Sequence, residues 1–212
     1  MLRIIIADDH FAVRVGLEIL VRDTVDEDVS IDFASDGLEL ISKLKKSYYD
    51  VLLTDLNMPG IEGLPMLQKI REISPSLRIL VVSVNSEEFY AIKAHELGAY
   101  GFVHKASSDE ELKEAIAAVC QGEKYVSEHQ QRLINDQNPN PFVNLSPREL
   151  EVLNLLFKGY GVLEISNELN IGQTTASTFK SRILKKTSTH SVVELIKLAE
   201  QYGFIPDSAK LS

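Results

Sequence analysis

The chain has a single cysteine, and no uncharged apolar run in it approaches the roughly 20 residues that a membrane helix needs. The first shortage excludes an internal disulfide, and the second a spanning helix. The opening MLRIIIADDH turns acidic too soon for a secretory signal, so a cytoplasmic location is expected. Cys120 lies in the apolar pattern AIAAVC, where a small buried hydrophobe is expected and a reactive thiol is not. Basic residues are also scarce: 22 Lys and Arg stand against 31 Asp and Glu, a formal net charge of −9. With 44% hydrophobic residues over 212 positions, the chain can bury the core of one large or two small domains.

The charge is unevenly spread. Residues 1 to 120 carry a net −9, residues 121 to 143 a net −1, and residues 144 to 212 a net +1. Two modules with different partners are expected. Against that background, residues 174 to 186, TTASTFKSRILKK, hold Lys180, Arg182, Lys185 and Lys186 and no acid. A solvated helix face would suffice to explain a lone charge run, so the rest of the chain has to decide its meaning.

Short apolar runs alternate with amphipathic stretches through the first 120 residues. LRIIIA precedes FAVRVGLEILVRD, SIDFAS precedes GLELISKLKK, and DVLLTD precedes GLPMLQKIREI; LRILVVSV and AYGFVH each lead into a further helical pattern. Five such units imply a doubly wound α/β domain with a five-stranded parallel sheet and right-handed crossovers. Ligands of such sheets sit outside the carboxyl ends of the strands. Here those ends carry Asp8 and Asp9, Asp55, Ser83 and Lys105. Taken singly, the aspartates read equally well as helix caps or turn residues. Together they place three carboxylates in one crevice, an arrangement that asks for a divalent cation such as Mg2+, with Lys105 as a fixed positive charge.

Residues 121 to 143 contain NPNP and a run of Gln, Asn and Asp, which reads as a linker preceded by a short helix. The expected organisation is a domain at 1–122, a linker at 123–143 and a second domain at 144–212. In the last domain, LSPRELEVLNLLFKG opens with Ser146 as N-cap, Pro147 at the first helical position and Glu149 closing a capping box. A short helix over LEISNELNI, a turn at Asn170 to Gly172 and a helix over 173 to 186 make a helix-turn-helix, with SVVELIKLAEQYG as a final helix. On the basic helix, Thr174, Ser177, Thr178 and Ser181 share one face by spacing, and Lys180, Arg182 and Lys185 flank it. Small polar side chains can approach base edges of double-stranded DNA while the cations hold phosphate.

With these motifs in place, residues 1 to 120 resemble the receiver domain of bacterial two-component response regulators. The acidic pair Asp8 and Asp9, LLTDLNMPG around Asp55, the hydroxyl of Ser83, the aromatic Phe102 and GFVHK ending in Lys105 carry the likeness. The resemblance implies a flavodoxin-like strand order 2-1-3-4-5 and phosphorylation of Asp55 by a sensor histidine kinase. It also implies Mg2+ held by Asp9, Asp55 and the carbonyl of Asn57, with Asp8 acting through water. Ser83 and Phe102 would then act as switch residues. Such a receiver promotes its own phosphorylation and dephosphorylation and turns over no external substrate. Phe102 stands where many members have tyrosine.

The last domain resembles the LuxR-type helix-turn-helix of the NarL/FixJ class, which implies base contacts at Ser177, Thr178 and Ser181 and dimerisation through the final helix, here Val192, Val193 and Ile196. Many members carry lysine at the position of Ser177, histidine at that of Phe179, and polar residues at those of Val162 and Leu163. The expected function is a DNA-binding transcriptional regulator switched by phosphorylation and dimeric in its active state. Two alternatives stand beside it. An aspartate-nucleophile phosphatase of the dehalogenase kind would need a second aspartate where His10 stands, and this chain has no room for a cap domain. A receiver whose last domain binds protein, or acts regardless of phosphorylation, is the other.

Overall fold

A computed structural model describes residues 1–61, 63–85, 87–135 and 140–202. The chain divides into two compact units, Met1–Asn135 and Asp136–Ser212. Part of the NPNP segment and the last ten residues lie outside the described residues.

The first unit alternates strand and helix as the hydrophobic pattern requires: β1 (Leu2–Ala7), α1 (Phe11–Thr24), β2 (Val29–Ala34), α2 (Gly37–Lys46), β3 (Val51–Thr54), α3 (Gly63–Ile73), β4 (Arg78–Ser83), α4 (Glu87–Glu96), β5 (Gly101–His104) and α5 (Asp109–Gln121). All four strand pairings are parallel, in the order β2-β1-β3-β4-β5. The expected doubly wound sheet and its order are therefore observed. Ile4, Ile5, Ile6, Leu52, Leu53, Ile79 and Leu80 have no exposed surface, because strands covered by helices on both faces must be apolar on both. Each such side chain contributes about 1.5–3 kcal/mol by leaving water. β2 lies at the sheet edge, and its burial alternates along the strand instead.

Capping residues fix where the helices start. Asp36 and Ser108 accept the backbone N–H groups of Glu39 and Glu111 at the starts of α2 and α5. Gly122 ends α5 in the left-handed region at φ 84°. An additional helix, α6 (Glu128–Asn135), belongs to this first unit and packs against α4.

In the second unit a 3-10 turn (Pro141–Asn144) leads to α7 (Pro147–Phe157), α8 (Val162–Glu168), α9 (Gln173–Lys186) and α10 (Val192–Gln201). Both halves of the Ser146–Glu149 capping box are formed. Asn170 takes φ 49° in the turn between α8 and α9, a conformation that asparagine tolerates. Ala176 and Ile183 of α9 are buried, as are Leu195 and Ala199 of α10. No helix of the described residues is long and apolar enough to cross a membrane.

Candidate functional site

The site in the first unit is built by strand register. Ala7 of β1 pairs with Thr54 of β3, so the residues that follow, Asp8 and Asp55, emerge side by side from adjacent strands. β4 runs next to β3 and ends at Ser83, which pairs with His104 of β5, so Lys105 follows at the same rim. Asp8 and Asp55 are only 1% and 3% exposed. Both carboxylates face the Lys105 ammonium, Asp8 Oδ2 at 2.6 Å and Asp55 Oδ2 at 2.7 Å. The other Asp55 oxygen, Oδ1, accepts the Ser83 hydroxyl at 2.6 Å. Asn85 Nδ2 donates to Ser83 Oγ at 3.2 Å and to Asn57 Oδ1 at 3.3 Å, linking the two strand-end loops.

Burial disfavours the charged form of Lys105, but hydrogen bonds and charge from Asp55 and Asp8 outweigh it and hold the ammonium above the usual lysine range. Lys105 is therefore cationic throughout the physiological range.

Asp9 is placed differently from Asp8. It is more exposed, and its Oδ1 lies 2.7 Å from His10 Nδ1. His10 joins Asp8 and Asp9 in the one cluster of potential metal ligands found among the described residues, with ligand atoms all within 4.8 Å. Sequence reasoning passed over His10 as a member of the site; its position directly after two site aspartates was the available signal. The donor set fits a hard divalent cation. Three carboxylates stand at this rim, and one fixed cation, Lys105, offsets the two buried ones, Asp8 and Asp55. Phe102 is fully buried, and its backbone carbonyl accepts Gln130 Nε2 of α6 at 2.8 Å. Gln130 is itself buried, a contact that sequence reasoning did not anticipate.

In the second unit, Thr174, Ser177, Thr178 and Ser181 of α9 line one concave face, as their spacing requires. Val162 of α8 and Gln173 at the start of α9 line it too, and so do Arg182 and Lys185. Lys180 is not on that face; it is half-buried, on the side of Ala176 and Ile183. Lys186 is committed elsewhere: its Nζ lies 2.6 Å from Glu149 Oε2 and 3.1 Å from the Asn144 carbonyl. Of the four cations in the basic segment, one therefore serves the fold. On α10, Val193 is 63% exposed, and Val192 and Ile196 are half-buried.

A parallel sheet with buried aspartates and a lysine at its carboxyl rim, followed by a separate helix-turn-helix unit, defines a class: a receiver coupled to a DNA-binding module. Residues 4–117 match the response regulator receiver domain, and residues 143–199 match the bacterial regulatory proteins of the luxR family. The chain belongs to the two-component response regulators that carry a LuxR-type DNA-binding domain. It is 32% identical over 209 residues to response regulator UvrY of Escherichia coli K12, covering 96% of this chain and 95% of that protein. It is 36% identical over 210 residues to oxygen regulatory protein NreC of Staphylococcus carnosus, covering 93% and 96%. Among solved structures, RcsB of Salmonella enterica serovar Typhimurium bound to promoter rprA with the phosphomimetic BeF3- is similar. It has a TM-score of 0.72 and 30% identity and covers 94% of this chain and 99% of that one. A two-component response regulator RcsB–DNA complex matches with a TM-score of 0.61 and 31% identity, covering 94% and 98%. Neither family match is to an enzyme.

Proposed function

We propose that a sensor histidine kinase phosphorylates Asp55, and that this charge controls how the second unit engages double-stranded DNA as a homodimer. The assignment divides the chain into a receiver at 1–122 that α6 extends to Asn135, a connecting segment up to 143, and a DNA-binding domain at 144–212, in a cytoplasmic protein. The observation that carries it is the pair of contacts on Asp55, with Lys105 on one carboxylate oxygen and Ser83 on the other. In the transfer, an Asp55 oxygen forms a bond to phosphorus as the phosphorus–nitrogen bond of a kinase phosphohistidine breaks, and the imidazole leaves. Little covalent work falls to the protein, and positioning and charge neutralisation do most of it. Lys105 supplies a cation beside the oxygen that reacts or its neighbour. Asp8, Asp9, Asp55 and the carbonyl of Asn57 would hold Mg2+, which when bound neutralises phosphoryl oxygens.

The phosphorylated side chain gains negative charge and acceptor oxygens, which Ser83 and Lys105 are placed to bind. Ser83 then exchanges its bond to the carboxylate for one to the phosphoryl group. Phe102, one strand away on β5 and already buried, transmits that adjustment through packing. In the second unit, Thr174, Ser177, Thr178 and Ser181 face the bases while Lys180, Arg182 and Lys185 hold phosphates to either side. Val192, Val193 and Ile196 of α10 pair two copies over half-sites about 34 Å apart or a multiple of that distance.

Labelling with a small-molecule phosphodonor tests the acceptor. Asp55→Ala abolishes labelling, whereas labelling at full stoichiometry in that variant would show that another group accepts the phosphoryl. Selection from random duplex DNA with and without beryllium fluoride and Mg2+ tests the control. Enrichment of a two-part site only with the mimic supports it, and enrichment of the same site in both states refutes it.

A further inference from the structure

The concave face on the second unit contains two residues outside the set that spacing assigns to base contact, and they come from different helices. Gln173 is the first residue of α9 and is exposed; Val162 is the first residue of α8 and is half-buried. Both line the face formed by Thr174, Ser177 and Thr178. The chemistry of that face is restricted. Thr178 Oγ1 donates to the Thr174 carbonyl at 2.8 Å, so its proton is held by the helix backbone, leaving a methyl group and acceptor lone pairs to face outward. Arg182 and Lys185 lie about 13 and 18 Å along the helix from Gln173, and no cation stands among the amino-terminal residues of the face. Guanine is read most often by a bidentate Arg or Lys, and this end of the helix has neither. Gln173 is the one side chain there with a planar donor–acceptor pair, which matches adenine N6 and N7. Val162 beside it offers branched apolar surface of the kind that packs against a thymine methyl.

We infer that Gln173 and Val162 read one A·T pair of the half-site, with Gln173 bonding the adenine edge and Val162 contacting the thymine methyl. This rests on the reading of the second unit as a duplex DNA binder. The amino-terminal part of a recognition helix is the part that reaches base edges, so Gln173 is well placed.

The test uses the full chain with beryllium fluoride and Mg2+ on its own selected site. With wild type, the selected half-site holds a fixed A·T pair. In Gln173→Ala that position becomes degenerate, affinity for the wild-type site falls about 10-fold, and binding to duplexes altered at that pair is unchanged. The salt dependence is the same for both proteins, because no phosphate contact is lost. Replacing the thymine of that pair by deoxyuridine removes only the methyl. It weakens wild type by about 3-fold and leaves Val162→Ala unaffected. Both residues have exposed surface, and thermal melting of each variant matches wild type. An equal loss on every sequence with Gln173→Ala makes Gln173 a backbone contact and overturns the inference. So does indifference of the wild type to deoxyuridine, as regards Val162. Failure of the wild-type chain to enrich any duplex overturns the DNA-binding reading itself, and the wild-type arm alone reveals that outcome.

Discussion

The lysines of the basic helix are not equivalent in their surroundings, and the partners of Lys186 set it apart. Lys186 is tied to Glu149, whose carboxylate also accepts the Ser146 backbone N–H at 2.7 Å to complete the cap of α7. Burial would raise the pKa of Glu149, but the Lys186 ammonium and the Ser146 bonds outweigh it and hold it below the usual carboxylate range. A depressed acid contributes stability at neutral pH that is lost as pH falls through its folded pKa. Glu149→Gln is therefore expected to destabilise the second unit by about 1 kcal/mol at pH 7, allowing for the partial exposure of Lys186. In denaturant titrations, the gap from wild type should close below the ordinary carboxylate range. A gap that stays constant with pH would mean that the charge of Glu149 contributes nothing. Lys186→Ala lowers stability in the same way and leaves the salt slope of DNA binding unchanged. Lys180→Ala weakens binding on all sequences and reduces that slope by about one; an unchanged slope removes Lys180 from the phosphate contacts.

The difference between Lys180 and Lys186 was not legible in the sequence, because the carboxylate that claims Lys186 lies 37 positions away. The site aspartates, by contrast, were legible. A strand buried on both faces shows itself as a largely apolar run, and the acid that follows such a run lies at the sheet rim, as Asp8 and Asp55 do. Burial likewise raises the Cys120 thiol to about 11, in keeping with the structural role that its apolar surroundings indicated.

Among the elements, α6 departs furthest from what its composition suggested. It is short and mostly polar, and the sequence placed it in a linker, yet it docks on α4 within the first unit. The segment bonds backbone carbonyls of the edge strand β5 and of the residue just before it. Tyr125 N–H donates to the Tyr100 carbonyl at 2.8 Å, and Gln130 Nε2 serves the Phe102 carbonyl two residues on. An uncovered strand edge presents unpaired backbone groups, and this segment covers part of this one. Gln130 also lies beside His95, whose imidazole burial holds in its neutral form. A buried glutamine carries no hydrophobic periodicity, so nothing in the pattern could mark it as an anchor. Gln130→Ala leaves the Phe102 carbonyl without its partner, which costs about 1–3 kcal/mol locally. Hydrogen exchange should quicken at residues 126–132 while β1 and β3 stay protected. Unchanged exchange across that segment would show that α6 is held by other contacts.

At the scale of the whole molecule, the charge distribution bears on the proposed pairing. The chain is acidic overall, and α9, the helix proposed to face DNA, is left with Arg182 and Lys185 on its concave face and Lys180 half-buried to one side once Lys186 is withdrawn, so that one copy would make few phosphate contacts. Two copies would double that number and read two half-sites, and affinity for a two-part site would then rise far more than a single contact could raise it. The sequence did not show how the apolar residues of α10 divide between the unit's own core and an exposed face. In the structure Leu195 and Ala199 turn into the unit's own core while Val193 stays 63% exposed. Val193 is thus a point at which pairing can be broken with little effect on folding. Val193→Asp introduces a charge on an exposed helical position, expected to change stability by less than about 0.5 kcal/mol, but it sets two like charges against each other across a symmetric pair of α10 helices. Sedimentation of the beryllium fluoride form should shift from dimer to monomer, with affinity for the two-part site falling to that of a single half-site. A dimer that survives the substitution would move the pairing surface away from α10, and an unchanged affinity for the two-part site would show that α10 does not couple the two DNA contacts.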